Sequence, residues 1–159
     1  MTISTELYPG VCAEPAAATP GFVLNGEEWR RTKGQADLSK SSSTEPGHLT
    51  VDEIGPKKFR VKFVPNKGFD GVEVYAALLG NGLVSHVSAG ENSGHDLSHD
   101  FVVLQLVHQS VQNSGAHGLS TEIQLESSGT IQPRSYSVAF WVSSQNNQKP
   151  IQAVGGDLK

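Results

Sequence analysis

Cysteine is almost absent from this chain, since Cys12 is the only one among 159 residues. A single thiol cannot form an intrachain disulfide, a Cys-x-x-Cys redox pair or a zinc site built from several thiolates. It can still act as a nucleophile or form an intermolecular bridge, but no basic residue flanks it to stabilise a thiolate. We therefore interpret Cys12 as an ordinary thiol and keep a redox role through it as an alternative.

Charge and long apolar runs are also scarce. Charged residues make up 18% of the chain, and the formal net charge is -4. Nucleic-acid binding requires a basic face that neutralises phosphates, and here the basic residues are scattered, so we expect no nucleic-acid partner. No run of about 18 apolar residues occurs, so no membrane span is predicted. The first residues lack a charged start followed by an apolar core, so we expect no export signal in the chain as given.

Turn-forming residues and short alternating segments are abundant instead, with 17 glycines and 8 prolines. Phe59, Val61 and Phe63 are apolar while Arg60 and Lys62 between them are charged, the period of two that is typical of a half-buried antiparallel strand. Similar short segments recur at intervals of roughly 8–14 residues, which favours a sandwich or a barrel. The strands predicted after His48 are 49–54, 59–63, 72–79, 83–87, 101–107, 119–125, 136–142 and 150–154.

The predicted fold is therefore all-β, an immunoglobulin-like antiparallel β-sandwich of about eight strands. The apolar run 101–107 predicts a strand covered on both faces, although the stretch VVLQLVHQSVQ is also compatible with a helix. Asn81-Gly82 predicts a hairpin turn between the strands 72–79 and 83–87. The predicted core consists of Val61, Phe63, Val72, Val74, Val102, Leu104, Leu106, Ile123, Val138, Phe140 and Val142.

The first 47 residues differ in composition from the rest. Residues 1–20 have little periodicity, and Asn25-Gly26 predicts the turn of a short hairpin that extends to Trp29. Arg30 to Gly47 is polar and serine-rich, and it cannot bury enough apolar area to order itself. We predict an irregular N-terminal extension over 1–47, made of a tail, a hairpin and a polar linker, followed by the sandwich domain over 48–159.

Four of the six histidines lie between Gly80 and His108. His95 and His99 are four residues apart, a spacing that converges on one metal ion in a helix. In an extended strand the same two residues lie about 13 Å apart, which is too far for one ion. A copper, nickel or zinc site formed by His95 and His99, with His86 or His108 from neighbouring strands, is one hypothesis. The alternative is that they are polar loop and strand residues.

The same stretch contains the glycine-bounded loop GENSG. Glu91 beside Asp96, Asp100 and His99 can in principle perform acid–base chemistry. We favour a structural role, in which Glu91 and Asn92 hydrogen-bond the loop backbone and the two glycines adopt positive φ. No Gly-x-Ser-x-Gly elbow and no glycine-rich phosphate loop occur in the sequence, so no catalytic residue is predicted. The loop-motif residues are Gly90, Glu91, Asn92, Gly94, Leu97 and Asp100.

Three stretches, TPGFVLNGEEWR, GLVSHVSAGENSGHDLSHDFVV and PIQAVGGDL, resemble in that order the C-terminal region of bacterial secreted thioredoxin-like proteins of unknown function. That family carries a Gly-Glu-Asn-x-Gly-x-x-Leu-x-His motif followed by Val-Val. His95 stands where relatives more often carry arginine. The resemblance implies a periplasmic or secreted location. The motif falls here on Gly90, Glu91, Asn92, Gly94, Leu97, His99, Val102 and Val103.

Relatives in that family place a thioredoxin-like domain with a Cys-x-x-Cys site before this region, and this chain lacks the cysteine pair. Inherited redox activity is therefore not expected. We predict a non-enzymatic β-sandwich module that serves in binding or assembly, for which a protein is one candidate partner, and that requires no cofactor. The alternatives are a histidine-based copper- or zinc-binding protein and a degenerate redox partner that acts through Cys12.

Overall fold

The computed structural model describes residues 22–24, 27–29, 46–66, 71–112, 118–127, 129, 131–145 and 148–159. The chain divides into two units, Met1–Ser43 and Thr44–Lys159, and the sequence predicts the boundary between extension and sandwich at residue 47. The predictions for Cys12, for the turn residues Asn25-Gly26 and for the linker up to residue 45 lie outside the described residues.

In the first unit, the described backbone forms an antiparallel hairpin. Strand β1 (Phe22–Leu24) pairs with β2 (Glu27–Trp29), and Leu24 lies opposite Glu27. The predicted N-terminal hairpin is confirmed.

The second unit is built from antiparallel strands, and no helix occurs among its described residues. Accordingly, no described helix is long and apolar enough to cross a membrane. The fold is all-β, as predicted. The strands of this unit are β3 (Gly47–Gly55), β4 (Lys58–Pro65), β5 (Gly71–Asn81), β6 (Leu83–His86), β7 (Asp96–His99), β8 (Val102–Gln112), β9 (Leu119–Gln124), β10 (Ser135–Ser144) and β11 (Pro150–Leu158).

Most of these strands belong to two sheets. A four-stranded sheet has the order β11-β10-β5-β8, and a three-stranded sheet has the order β3-β4-β9. Strands β6 and β7 form a separate two-stranded ribbon. Strand β5 lies between β10 and β8 along residues 72–80, so the predicted strand 72–79 is central in its sheet.

The core contains apolar side chains from both main sheets. Alternate residues of β4 are almost completely buried, and so are alternate residues of β5 and β10. The rings of Phe59 and Phe140, one from each sheet, meet edge to face with centroids 5.1 Å apart. This arrangement is consistent with the predicted sandwich. The predicted core residues that are buried are Val61, Phe63, Val72, Val74, Ile123, Val138, Phe140 and Val142.

The prediction that the run 101–107 is covered on both faces is wrong. The segment is a strand rather than a helix, but β8 lies at the edge of the four-stranded sheet. Val103 and Leu106 are 57% and 55% exposed, and Val102 and Leu104 are only half-buried. The register between β5 and β8 also shifts between Leu78 and Leu79, so the alternation of buried and exposed residues is interrupted there.

The prediction of a hairpin turn at Asn81-Gly82 is also wrong. Gly82 has a positive φ of 65°, as an Asn-Gly turn requires, but the chain does not fold back onto β5. Strand β6 pairs with β7 instead. The Asn81 amide Nδ2–H donates to Ser137 Oγ at 2.7 Å, and Asn81 Oδ1 accepts from the backbone N–H of Phe101 at 2.9 Å. Asn81 thus joins the four-stranded sheet to Phe101, which follows the β6–β7 ribbon.

Candidate functional site

The β6–β7 ribbon places two of the predicted metal ligands on opposite faces. His86 lies opposite Asp96, and its Nδ1 is 2.9 Å from Asp96 Oδ1. His99 lies opposite Leu83, and its Nε2 is 2.7 Å from Ser85 Oγ. Paired residues share a face and successive residues alternate between faces. His86 and His99 therefore project to opposite sides of the ribbon.

The other two histidines lie elsewhere. His95 is an exposed residue immediately before β7, and its backbone N–H donates to Asn92 O at 3.1 Å. His108 lies in β8, where its ring stacks on that of Tyr75. Among the residues that the structure describes, no three His, Cys, Asp or Glu side chains form a group that could hold a metal ion. The copper or zinc site remains a prediction that the described geometry does not favour.

The GENSG loop has the backbone that its glycines predicted. Gly90 and Gly94 have φ values of 86° and 84°. The backbone N–H of Ser93 donates to Gly90 O at 3.1 Å, and that of Gly94 donates to Val87 O at 2.8 Å. The side chain that bonds this backbone is that of Ser93, whose Oγ donates to Ser88 O at 3.2 Å, rather than that of Glu91 or Asn92 as predicted. The positive φ at both glycines is confirmed.

Asp100 has a structural contact rather than an acid–base one. Its Oδ1 accepts a hydrogen bond from the backbone N–H of Gly82 at 2.7 Å, which fixes the exit of the ribbon to its entry. Leu97 is 36% exposed and lies on the same face of the ribbon as His99. Asp96 lies on the opposite face, so this register does not favour the acid–base alternative that groups Asp96 with His99.

A different cluster lies on the four-stranded sheet. Trp141 of β10, Tyr75 of β5 and His108 of β8 are adjacent across three strands. The Tyr75 and Trp141 rings are parallel within 2° with centroids 5.1 Å apart, and the Tyr75 and His108 rings are 5.6 Å apart at 24°. These are the distances of offset stacking. We call these three residues the aromatic stack.

The alternation of the strands puts the aromatic stack on the outer face of the sheet, the face that points away from the core. Val74 and Ala76, on either side of Tyr75, are buried against the core, and so are Phe140 and Val142 beside Trp141. Tyr75 and Trp141 are half-buried and His108 is exposed. The three rings therefore lie side by side at the surface of the sheet.

An open cavity of about 360 Å³ lies at one end of the aromatic stack. One row further along the sheet, Ser110 Oγ donates a hydrogen bond to Glu73 Oε1 across β8 and β5. Hydroxyl, carboxylate, imidazole and carboxamide groups thus converge beside the rings. We call this feature the polar cavity, and its lining residues are Glu73, Tyr75, His108, Ser110, Ser144, Gln145 and Gln148.

A second cavity of about 400 Å³ lies at the other end of the stack, where Trp141 faces β11. Ala153 is the register partner of Trp141, and Gly155 is that of Ala139, so only small side chains flank the indole on this side. We call this feature the apolar slot. It is lined by Ala139, Phe140, Trp141, Pro150, Ala153, Val154 and Gly155.

Comparison with family models matches residues 8–143 to a family described as protein of unknown function, DUF1223. The chain belongs to the DUF1223 family. Comparison with curated proteins and comparison with solved structures each found no match. The family description names no activity, so the function of this DUF1223 protein must be argued from its site.

Among the site residues of this DUF1223 protein, the sequence alone singles out only His108. It does so as a candidate metal ligand rather than as a member of an aromatic stack. The signal was present in the alternation of VEVYA, where Glu73 and Tyr75 share the face opposite Val72 and Val74. What was missing was the register, because only the pairing of β5 with β8 and β10 brings Tyr75 beside His108 and Trp141.

The three-stranded sheet carries a separate charged cluster on its exposed face. Lys58 Nζ is 2.8 Å from Glu122 Oε2, and Arg60 Nη2 is 2.9 Å from Glu122 Oε1. The hydrogen bond from Lys58 and then that from Arg60 hold the pKa of the Glu122 carboxyl below its ordinary value. These side chains are about half exposed, and the sheet that carries them is not the one that carries the aromatic stack.

Proposed function

We propose that this DUF1223 protein is a non-enzymatic binding module whose ligand lies across the aromatic stack and the polar cavity. The observation that carries the proposal is the stack of Trp141, Tyr75 and His108 beside a cavity that offers both hydrogen-bond donors and acceptors. Ligand sites typically combine concave, partly aromatic walls with a few convergent polar groups. All three rings project from hydrogen-bonded strands of one sheet, so we expect the binding surface to be preformed.

The hydrogen bonds around the serines support a role in binding rather than in catalysis. A nucleophilic serine needs a base that a third group orients. In the polar cavity, Ser110 donates to the carboxylate of Glu73 rather than to the imidazole of His108. On the ribbon, Ser85 and His99 are within hydrogen-bond distance but both are exposed, and Asp100 beside them is bonded to Gly82.

We also propose a periplasmic or secreted location, which the resemblance to secreted thioredoxin-like proteins supports. A module derived from such proteins would act in the periplasm or outside the cell, where its ligand would also be found. We include in the proposal that it needs no metal or other cofactor and that the thioredoxin activity of its relatives is not retained.

Thermal stabilisation by bacterial extracts tests the proposal even though the ligand is unidentified. The purified protein is heated with envelope and soluble fractions of an extract, and the temperature at which half of it stays soluble is measured. Since a ligand that binds only the folded state stabilises it by mass action, we expect one fraction to raise this temperature by about 2–4 °C. The His108→Ala and Glu73→Gln variants should lose the increase.

Lys62→Ala is the matched control, because Lys62 is an exposed residue of the three-stranded sheet. This variant should keep the full increase. The proposal is wrong if no fraction stabilises the wild-type protein. It is also wrong if His108→Ala and Glu73→Gln are stabilised as much as Lys62→Ala.

A further inference from the structure

We infer that the ligand of the aromatic stack and the polar cavity is a neutral oligosaccharide. This inference rests on the proposed binding function and adds the chemical class of the ligand. Three features carry it: the exposed ring surfaces, the mixture of donors and acceptors in the polar cavity, and the absence of a cationic side chain among its described lining residues.

The aromatic stack offers ring surface at its two ends. Tyr75 is covered by a neighbouring ring on each side, whereas Trp141 has only Ala153 beyond it on β11. The apolar slot is bounded by the indole of Trp141, and Ala153 and Gly155 are the small residues on its β11 side. Pyranose rings such as glucose present C–H groups on their faces, and these groups pack well against an aromatic ring because they are apolar and slightly positive.

The polar cavity has the groups that recognise hydroxyls. Each sugar hydroxyl donates one hydrogen bond and accepts others, so a site for sugars must supply both kinds of partner. Glu73 supplies carboxylate oxygens, while Gln145 and Gln148 each supply an NH₂ group and a carbonyl oxygen. Such planar groups with two polar atoms side by side can bind two adjacent hydroxyls at once.

Charge favours a neutral ligand over an anionic one. Glu73 is a carboxylate, and no lysine or arginine is among the described residues that line the polar cavity. Phosphate and carboxylate ligands are normally held by arginine or lysine, and the whole chain has a formal net charge of -4. The cavity of about 360 Å³ is within the range of small-ligand sites.

The test is a calorimetric titration of the full chain with neutral pentasaccharides of glucose (β1,4 and α1,4), xylose and N-acetylglucosamine. Trigalacturonate and tripolyphosphate serve as anionic probes. We expect at least one neutral sugar to bind with a Kd below about 1 mM. Glu73→Gln and His108→Ala should weaken that binding at least tenfold without changing the unfolding temperature, while Lys62→Ala should leave it unchanged.

Tryptophan fluorescence gives a second readout of binding, which does not depend on whether the Glu73→Gln and His108→Ala variants fold. The chain has two tryptophans, Trp29 and Trp141, so a Trp29→Phe protein reports on Trp141 alone. Its emission should change on addition of the sugar that binds and not on addition of the anionic probes.

Three outcomes would overturn the inference: no neutral pentasaccharide binds, binding is insensitive to Glu73→Gln and His108→Ala, or only the anionic probes bind. If an extract fraction still stabilises the wild-type protein in a His108-dependent way, the binding function survives and only the ligand class is wrong. If neither experiment shows binding, both are wrong.

Discussion

Asn81 links the four-stranded sheet to the segment that follows the β6–β7 ribbon, through both polar atoms of its side-chain amide. Its Nδ2 donates to Ser137 Oγ, and its Oδ1 accepts from the backbone N–H of Phe101, which has a positive φ of 56°. A non-glycine residue holds such a φ only when its surroundings compensate for the strain. We therefore expect Asn81→Ala to lower the free energy of unfolding by about 1–3 kcal/mol.

Urea denaturation measures this effect directly. Asn92→Ala is the control, because Asn92 is an exposed residue of the GENSG loop and should change stability by no more than about 0.5 kcal/mol. Equal effects of the two substitutions would show that Asn81 does not hold the ribbon in place.

The ion pairs of Glu122 with Lys58 and Arg60 should make stability depend on pH. Lys58 and Arg60 lower the pKa of the Glu122 carboxyl group in the folded protein, so the folded state binds its proton less readily than the unfolded state does. The stabilisation from these ion pairs is therefore present at neutral pH, and it is lost as the pH falls through the lowered pKa of the folded state.

A ¹³C NMR titration of the Glu122 carboxyl measures this pKa. Lys58→Ala should raise it more than Arg60→Ala does, because the hydrogen bond from Lys58 is the larger cause. High salt should also raise it, since the pairs are exposed and screened. An ordinary glutamate pKa in the wild-type protein would contradict the ion pairs.

Strands β5 and β8 differ in burial although both are rich in leucine and valine. Leu78 of β5 is completely buried, whereas Leu106 of β8 is 55% exposed. Removing a buried leucine side chain forfeits its transfer free energy and leaves a cavity. We expect Leu78→Ala to cost about 2–5 kcal/mol of unfolding free energy and Leu106→Ala no more than about 0.5 kcal/mol.

The matched pair is compared by chemical denaturation. It tests the edge position of β8, because a strand covered on both faces would make the two substitutions similarly costly. Similar losses of unfolding free energy would support burial of β8 on both faces, as the apolar run 101–107 predicted.

The β6–β7 ribbon predicts weak metal binding at most. His86 and His99 project from opposite faces and each already has a polar partner, Asp96 and Ser85. Two or more imidazoles are needed for a tight copper or zinc site of this type. Calorimetric titration with Cu(II) and Zn(II) should reveal no site with a Kd below about 10 μM. A tighter site that His95→Ala or His99→Ala abolishes would support the metal hypothesis instead.

At the scale of the whole molecule, local alternation predicted most strands of the sandwich but not the order of the strands in its sheets. Phe59, Val61 and Phe63 show their buried face in the sequence itself, so β4 was predictable. The apolar run of β8 did not show that it forms a sheet edge, because that depends on which strand lies beyond it. Asn81-Gly82 correctly indicated the positive φ of Gly82, but it did not indicate that β6 pairs with β7 rather than with β5.

The candidate site depends even more on long-range pairing. Tyr75, His108 and Trp141 come from three strands that are far apart in sequence, and their rings meet only in the register of the folded sheet. The histidines of the β6–β7 ribbon suggested a site because they are close in sequence. The register of β6 with β7 puts His86 and His99 on opposite faces of the ribbon, and this is why their proximity did not produce one.

Ligand binding on the outer face of the four-stranded sheet is the central claim. The most direct test is ¹H–¹⁵N NMR mapping while the stabilising extract fraction, or the sugar that binds, is titrated into the full chain. We expect the largest shift changes at the Trp141 indole N–H, at the Gln145 and Gln148 side-chain amides and at the backbone of Ser110. Changes confined to the β6–β7 ribbon or to the three-stranded sheet would contradict the claim.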